Sequence, residues 1–370
     1  MPSRLARWSA SLAGSVLLCL AAPAIAGDFN VINLVTDDQA AHAAQITDPG
    51  LKNAWGISYS PTSPFWVSSA DAGASPLYRV DPATQATTKL GLTVTVPGNP
   101  TGQVFNGNAG AFNGDLFLFV SEDGSISGWR GALGTTAEIL VMASPDNIYK
   151  GAAFATIGSN SYLYAANFHN GSVDVVKGSA AAPSLSGSFI DPLLPAGYAP
   201  FNVQNLNGSL YVTYAQQNAD KDEEVSGAGH GIVDRFDLQG NLISRIATGG
   251  ALDAPWGLAI APDSFGALSG KLLVGNFGDG HISIFDQNNF AYLGQVTGPG
   301  GHPLAIDGLW AITPGNDGGA GSSHLLYFSA GPDEEAHGLF GVLVAVPEPS
   351  AHAMLLAGLL LMGVIVKRRI

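Results

Sequence analysis

Short apolar segments separated by glycine-rich turns predict an all-β protein, and their repetition predicts a six-bladed β-propeller. Glycine accounts for 48 of the 370 residues, and only 12% of the residues are charged. Amphipathic helices need charged residues on their exposed face and tolerate glycine poorly, so this composition favours short strands and tight turns. The strand–turn pattern starts six times, near residues 55, 105, 152, 201, 256 and 309. Repeats of about 50 residues that each supply four antiparallel strands are typical of propeller blades.

The first repeat illustrates a predicted blade. Three strands are expected at residues 54–59, 65–68 and 77–81, with glycine, serine and proline between them. The same order recurs in the later units, at residues 102–130, 151–177, 210–237, 255–286 and 307–343. We expect the large aromatic residues of the inner strands to pack in the wedges between blades: Trp55, Phe201, Trp256 and Trp310. A pair of β-sandwiches and a seven-bladed ring remain alternative architectures.

The last unit supplies only three strands, which end near residue 343. The first strand of the exported chain, Phe29–Thr36, has no partner in its own neighbourhood. We therefore expect this strand to lie beside residues 339–343 and to close the last blade. Such closure removes the exposed sheet edges at which β proteins aggregate.

The N-terminus has the features of a secretory signal peptide. Arg4 and Arg7 precede an apolar stretch at residues 12–22, and Ala24-Ile25-Ala26 is a cleavage site of small residues. The sequence is therefore divided into a signal peptide (1–26), a propeller (27–345) and a C-terminal segment (346–370). The one cysteine, Cys19, lies in the signal peptide, so the propeller has neither disulfides nor thiol chemistry.

The C-terminal segment combines three features of a sorting signal. A short motif comes first, then an uncharged stretch at residues 351–366, and then a basic cluster. As a transmembrane helix this stretch would span about 24 Å, slightly less than a bilayer core of about 30 Å, and the cluster would hold its end in the cytoplasm. The motif consists of Val346, Pro347, Glu348, Pro349 and Ser350, and the basic cluster of Lys367, Arg368 and Arg369.

This order of features resembles the PEP-CTERM sorting signal. The resemblance implies an exosortase-type sorting enzyme as a partner. It also implies export through the inner membrane, anchoring by the C-terminal helix in transit, and release to the cell envelope or the extracellular space. A plain anchor that is never cleaved is the alternative.

The repeats resemble those of NHL-type and gluconolactonase-like six-bladed propellers. The resemblance rests on two inner-strand motifs, Pro255-Trp256-Gly257-Leu258-Ala259 and Ile306-Asp307-Gly308-Leu309-Trp310. Together with the sorting signal, the whole chain resembles an uncharacterised family of exported bacterial propellers. These motifs identify an architecture and not an activity, because propellers carry binding, lyase and hydrolase functions.

The composition and the motifs exclude several classes of function. A formal charge of −14 repels nucleic acid and anionic lipid and attracts cations or basic partners. The predicted mature body contains no Gly-x-Ser-x-Gly motif, no Walker loop and no dinucleotide fingerprint. No catalytic residue can be assigned from the sequence.

The predicted site lies where the loops between the second and third strands of each blade emerge on one face. His169 and His281 fall in or beside such loops, as do His230 and His337, and His302 lies between the last two blades. Imidazole suits zinc, and carboxylate and amide oxygens suit calcium or magnesium, so a divalent cation is the expected cofactor, if any. The alternative is that these histidines are ordinary turn residues.

The resemblance to lactonase-like propellers adds Asn167, Asn276 and Asp307 to the candidate metal ligands. For the two asparagines we favour the other interpretation, in which they are turn residues that tolerate unusual backbone angles. Two acidic runs, 220–224 and 333–335, are expected to be solvated loops, with calcium binding as the alternative. Two functions follow. We expect an extracellular or envelope binding protein, with a polysaccharide or a small molecule as its ligand; a metal-dependent hydrolase or lyase at the channel mouth is the alternative.

Overall fold

The structure is a computed structural model that describes residues 28–346. The predicted signal peptide, the sorting residues 347–350, the predicted transmembrane helix 351–366 and the basic cluster lie outside the described residues. Within residues 28–346, no helix is both long enough and apolar enough to cross a membrane.

The described residues form a closed ring of six antiparallel sheets, as the repeats predict. The chain begins with β1 (Phe29–Thr36) and β2 (Ile46–Thr47). Blade 1 consists of β3 (Ala54–Ser58), β4 (Phe65–Ser69), β5 (Ala74–Val80) and β6 (Thr87–Thr95). Blade 2 consists of β7 (Pro100–Phe105), β8 (Phe117–Ser121), β9 (Ile126–Trp129) and β10 (Glu138–Val141). Blade 3 has three strands, β11 (Tyr149–Ile157), β12 (Asn160–Asn167) and β13 (Ser172–Lys177).

The second half of the ring follows the same order. Blade 4 consists of β14 (Tyr198–Leu206), β15 (Ser209–Gln216), β16 (Gly231–Phe236) and β17 (Leu242–Thr248). Blade 5 consists of β18 (Pro255–Ile260), β19 (Leu272–Asn276), β20 (Ile282–Phe285) and β21 (Tyr292–Gln295). Blade 6 contains β22 (Leu309–Pro314), β23 (Leu326–Ala330) and β24 (Leu339–Ala345). Short 3₁₀ helices lie at Phe112–Gly114, Gly131–Leu133 and Gly266–Leu268.

The predicted closure of the ring is confirmed. β1 pairs antiparallel with β24, so that Val31 lies opposite Leu343 and Thr36 opposite Leu339. Leu34 on β1 is fully buried against blades 1 and 6. The first strand therefore completes the last blade, and both ends of the described chain leave from this sheet.

The inner strands approach one another closely around the central axis. A Cβ atom on Gly56 would lie 2.4 Å from the carbonyl oxygen of Thr101 on the next inner strand. A Cβ atom on Gly102 would lie 2.5 Å from the backbone nitrogen of Ala152. Glycine is required here by contact between neighbouring blades, because no real Cβ atom approaches backbone that closely.

Aromatic side chains from four blades fill the axis. We call this cluster the aromatic plug; it comprises Trp55, Phe201, Trp256, Phe277 and Trp310. Trp310 stacks on Trp55 at 3.7 Å and on Phe277 at 4.0 Å between ring centroids, and its ring lies 5.7 Å from that of Phe201. Phe201 and Trp310 belong to blades 4 and 6, and side chains of non-adjacent blades meet only on the axis. The four aromatic residues predicted to be core are buried, but on the axis and not in the wedges between blades.

Candidate functional site at the channel mouth

The upper face of the ring is defined here by the second-to-third hairpins and by the connections between blades. All six inner strands start on this face. Lys150, the second residue of β11, is fully buried above the aromatic plug. Its Nζ donates to Glu122 Oε1 at 2.5 Å and to Glu223 Oε2 at 3.0 Å, and it lies 5.2 Å from the ring centroid of Trp55. The ammonium group is therefore held by blades 1, 2 and 4 as well as by its own blade.

Four carboxylates act on the charge of this lysine, and a fifth lies near Glu122; we call the five the carboxylate mouth. Each lies in the second-to-third hairpin of its blade, so four different blades contribute. The five residues are Asp71, Glu122, Glu223, Glu224 and Glu335. Asn53 joins the carboxylate mouth to the aromatic plug, because its Nδ2 donates to Glu335 while its Oδ1 accepts the indole N–H of Trp310 at 3.0 Å.

The hairpin that carries Glu335 has an unusual backbone. Asp333, Glu334 and Glu335 have φ angles of 56°, 55° and 67°, so three successive non-glycine residues lie in the left-handed region. Such residues cost about 1–2 kcal/mol each. The carboxylate of Asp307 accepts the backbone N–H of Asp333 at 2.8 Å, and the carbonyl of Gly331 accepts that of Glu335 at 3.1 Å. A strained turn thus directs Glu335 toward the axis.

The hairpin of blade 4 is held over the axis by backbone pairing. The N–H of Asn218 donates to the carbonyl of Glu223 at 2.8 Å, and the N–H of Val225 donates to that of Gln216 at 2.8 Å. Glu224 lies between these contacts. Its Oε2 atom is buried and has no hydrogen-bond partner among the described residues. A buried carboxylate oxygen without a partner is costly, and a ligand could supply the missing donor or cation.

Carboxyl groups of the carboxylate mouth have raised pKa values. Burial raises the pKa of Glu224 to about 7, and the charge of Glu223 adds to this effect. Burial and the charge of Glu224 raise the pKa of Glu335 to about 7, and burial also raises the pKa of Asp71. Burial alone would lower the pKa of Lys150, but the charges of Glu122, Glu223 and Glu224 reverse this and raise it, so Lys150 is charged at neutral pH. The mouth therefore holds more negative charge than its lysine balances.

The residues predicted in blade 3 lie within one hairpin. Asn167 is fully buried at the end of β12, where its Nδ2 donates to Asn147 Oδ1 at 2.9 Å and to Asp174 Oδ2 at 2.8 Å. Its Oδ1 accepts the N–H of Asn170 at 3.2 Å. His169 is partly exposed, and its Nδ1 lies 3.3 Å from the carbonyl oxygen of Lys221. These contacts fit the alternative in which Asn167 shapes a turn.

The other predicted residues belong to blade 5 and to the connection that follows it. Asn276 donates from Nδ2 to Ala251 O at 2.8 Å and to Asp279 Oδ1 at 2.9 Å, and its Oδ1 is buried without a partner among the described residues. Its backbone N–H donates to the carbonyl of His281, whose Nδ1 lies 2.8 Å from Leu304 O. His302 is exposed, and Asp307 supports the turn at Asp333.

The structure brings Asn276 and His281 together but does not gather the predicted ligands around one centre. Within residues 28–346, no three His, Cys, Asp or Glu side chains lie in positions that could hold a metal ion. A metal role for His169, His281, His302, Asn167, Asn276 and Asp307 stays a prediction.

Sequence reasoning missed part of the carboxylate mouth. Glu223, Glu224 and Glu335 lie in the two acidic runs that were expected to be solvated loops. Asp71, Glu122 and Lys150 carry no recognisable motif. The sequence does contain a usable signal, because five of the six second-to-third hairpins contain an acidic residue and all of them open on one face.

Comparison with known proteins identifies the family of the chain and a sorting motif near its C-terminus. The uncharacterised protein R648 of Acanthamoeba polyphaga mimivirus is 30% identical over 326 residues, which cover 82% of this chain and 76% of that protein. The uncharacterised protein L690 of the same virus is 30% identical over 327 residues, 82% of each chain. The chain belongs to the family of these two proteins. The PEP-CTERM protein-sorting motif matches residues 345–369.

The sorting motif implies export, sorting to the cell envelope and processing by an exosortase. Solved structures agree with the fold. A glucose dehydrogenase superposes with a TM-score of 0.55 at 12% identity, over 86% of this chain and 100% of that chain. The soluble aldose sugar dehydrogenase of Escherichia coli gives a TM-score of 0.53 at 14% identity, with the same coverage of both chains. At these identities the likeness concerns the propeller architecture alone.

Proposed function

We propose that this protein is an exported binding protein whose carboxylate mouth takes a cationic ligand. The observation that carries the proposal is the fully buried Lys150, bonded by Glu122 and Glu223 while Glu224 and Glu335 remain as additional carboxyl groups. A ligand cation would compensate the excess negative charge, and the unpaired oxygen of Glu224 would gain a partner.

The pKa values near 7 support a ligand of this charge. Glu224 and Glu335 are about half protonated at neutral pH, because burial disfavours their ionised forms and neighbouring carboxylates add to this effect. A bound cation favours the ionised form, so binding near pH 7 should release protons. No three carboxylates within residues 28–346 are placed to hold a metal ion, so an organic ammonium fits this geometry better than a divalent ion, and the experiment distinguishes the two.

The test is isothermal titration calorimetry of the purified chain with calcium, magnesium and zinc chlorides and with spermidine. Titrations in two buffers of different ionisation enthalpy measure proton release. We expect at least one cation to bind with release of protons, and Glu335→Gln to weaken that binding about tenfold, as for loss of a charged partner. Glu334→Gln, the same substitution at the exposed neighbouring residue, is the matched control.

Two results would contradict the proposal. One is the absence of binding by all four cations. The other is equal binding by the Glu335→Gln variant and the unaltered chain. A loss of binding in His281→Ala that is absent in Glu335→Gln would instead support the predicted histidine site.

A second function is favoured by the same pair of carboxyl groups. Groups with pKa values near 7 serve as general acids and bases, so Glu224 and Glu335 suit a hydrolase or a lyase. The sequence-based alternative adds a divalent metal. Turnover of lactones or nitrophenyl glycosides, measured with and without calcium, magnesium or zinc and abolished in Glu224→Gln, would support this function over simple binding.

The expected association with exopolysaccharide remains part of the proposal. Its support is the sorting motif at residues 345–369, which implies export and sorting to the cell envelope. Sedimentation of the protein with isolated envelope polysaccharide would test it.

A further inference from the structure

A second cavity opens on the opposite, lower end of the axis. Its volume is about 230 Å³, and the inner strands of five blades line it near their ends, whereas Asn53 and Lys150 of the upper face lie at the strand starts. Its lining consists of Ile57, Ser58, Tyr59, Gln103, Val104, Phe105, Ala152, Ala153, Phe154, Gln204, Asn205 and Thr313. None of these residues is charged.

Two polar groups of this lining lack partners. Ser58 is 7% exposed, and its hydroxyl is buried without a hydrogen bond to any described residue. Gln204 is half-buried and lines both this cavity and a smaller one of about 20 Å³ farther along the axis. Its carboxamide likewise makes no side-chain hydrogen bond within residues 28–346. Unpaired amide and hydroxyl groups in a cavity are available to a neutral polar ligand.

Other polar groups of the cavity are already held in place. Gln103 Nε2 donates to the carbonyl oxygens of Gly56 at 2.7 Å and Trp66 at 2.9 Å. Asn205 Nδ2 donates to the carbonyl oxygen of Phe154 at 3.0 Å. These bonds fix the two amides, so their remaining hydrogen-bonding capacity is oriented before a ligand arrives.

Three half-buried aromatic residues supply apolar surface. Tyr59, Phe105 and Phe154 come from three successive blades. The hydroxyl of Tyr59 donates to Pro314 O at 2.6 Å, which fixes its ring. Amides and hydroxyls beside aromatic carbon match a ring that has hydroxyls at its rim and C–H groups on its faces.

The size of the cavity limits the ligand. Its volume of about 230 Å³ lies below the roughly 300–1,000 Å³ of pockets that enclose drug-sized ligands. This space suits a single sugar ring and is too small for an enclosed oligosaccharide. We infer that the lower cavity binds one neutral monosaccharide unit, either free or at the end of a chain that continues into solvent.

The test uses the full chain in a detergent without a sugar headgroup. Saturation-transfer NMR and calorimetry would measure binding of glucose, galactose, mannose and N-acetylglucosamine, with glucuronate as a charged counterpart. At least one neutral sugar is expected to bind more tightly than glucuronate. Gln204→Leu should weaken this binding about fivefold, since it removes the free carboxamide. Thr313→Val, which removes a lining hydroxyl and keeps the shape, should weaken it as well.

Matched controls separate this cavity from the carboxylate mouth. Gln295→Leu makes the same substitution on the half-buried outer strand β21, and Glu335→Gln alters only the upper face. Both variants should bind sugar as the unaltered chain does. The inference is overturned if none of the four neutral sugars binds, or if Gln204→Leu and Thr313→Val leave the affinity unchanged while their thermal midpoints show that they are folded.

Discussion

Lys150 shows how one residue can depend on the whole ring. A buried ammonium group loses its hydration, and only nearby negative charge can compensate. Here the compensation comes from Glu122 and Glu223, which belong to blades 2 and 4, while Lys150 belongs to blade 3. The lysine therefore links three blades at the point where their inner strands begin.

Replacement of this lysine should destabilise the protein. Lys150→Met leaves the partly exposed carboxylates of Glu122 and Glu223 without their counter-charge, and we expect a loss of about 1–3 kcal/mol in the free energy of unfolding at pH 8. The loss should be smaller at pH 5, because protonated glutamates need no partner. Urea denaturation at both pH values measures this, with Lys177→Met at the exposed end of β13 as the control. A loss of equal size at pH 5 would show that packing, and not charge, is the cause.

Glu335 makes stability depend on pH in a defined direction. Its pKa is raised from 4.5 to about 7 in the folded state, so the folded chain holds this proton more tightly than the unfolded chain does. The stabilisation is complete below pH 4.5 and is lost as the pH rises through 7. Glu335→Gln should therefore raise the free energy of unfolding by about 1–2 kcal/mol at pH 8 and leave it nearly unchanged at pH 5.

Chemical denaturation in the presence of a chelator, at pH 5 and pH 8, measures this effect. Glu334→Gln should behave like the unaltered chain at both pH values, because Glu334 is exposed. If Glu335→Gln were equally destabilising at both pH values, the acidity argument would be wrong. If Glu335→Gln is more stable than the unaltered chain and also loses cation binding, then Glu335 lowers the stability of the fold but is needed to bind the cation.

Contact between neighbouring inner strands determines how closely the blades can approach the axis. At Gly56 and Gly102 the backbone of the next blade occupies the place of a side chain. Both residues lie near the middle of their strands and line the small cavity on the axis. The short distance between inner strands allows side chains of different blades to meet near the axis, as Glu122 and Glu223 meet Lys150.

Gly56→Ala should disturb this approach. The added Cβ would meet the carbonyl oxygen of Thr101 at 2.4 Å, and the strands must separate. We expect a loss of about 1–3 kcal/mol, as in overpacked cores. Gly91→Ala on β6 is the matched control, because its Cβ would meet no atom within 4 Å. Thermal unfolding compares the two variants, and an equal midpoint for both would contradict the contact argument.

At the scale of the molecule, the sequence determined the architecture better than the site. Strand periodicity is local, so the blades and the pairing of Phe29–Thr36 with the last sheet could be predicted. The arrangement of the carboxylate mouth depends on the distances between blades, and these distances cannot be predicted from a local sequence pattern. His281 is a candidate ligand because of its imidazole, but its Nδ1 lies against the carbonyl oxygen of Leu304. Glu335 reaches the axis through a left-handed turn, which the local sequence does not predict.

The two ends of the described chain meet in blade 6, and this has a consequence for processing. Phe29 lies opposite Ala345, and the N–H of Val346 donates to Asp28 O at 2.7 Å. Among residues 28–346, the contacts that close the ring end at Val346, where the sorting motif begins. We expect a chain that ends at Val346 to keep the thermal midpoint of the unprocessed chain within about 2 °C, since no closing bond is lost. A chain that ends at Gly338 lacks β24 and should not fold, because β1 then keeps only its two-residue pairing with β2 and the edge of β23 is exposed. Circular dichroism melting of the two truncated chains tests the argument, and a large loss of stability in the longer one would show that the ring needs more than residues 28–346 to stay closed.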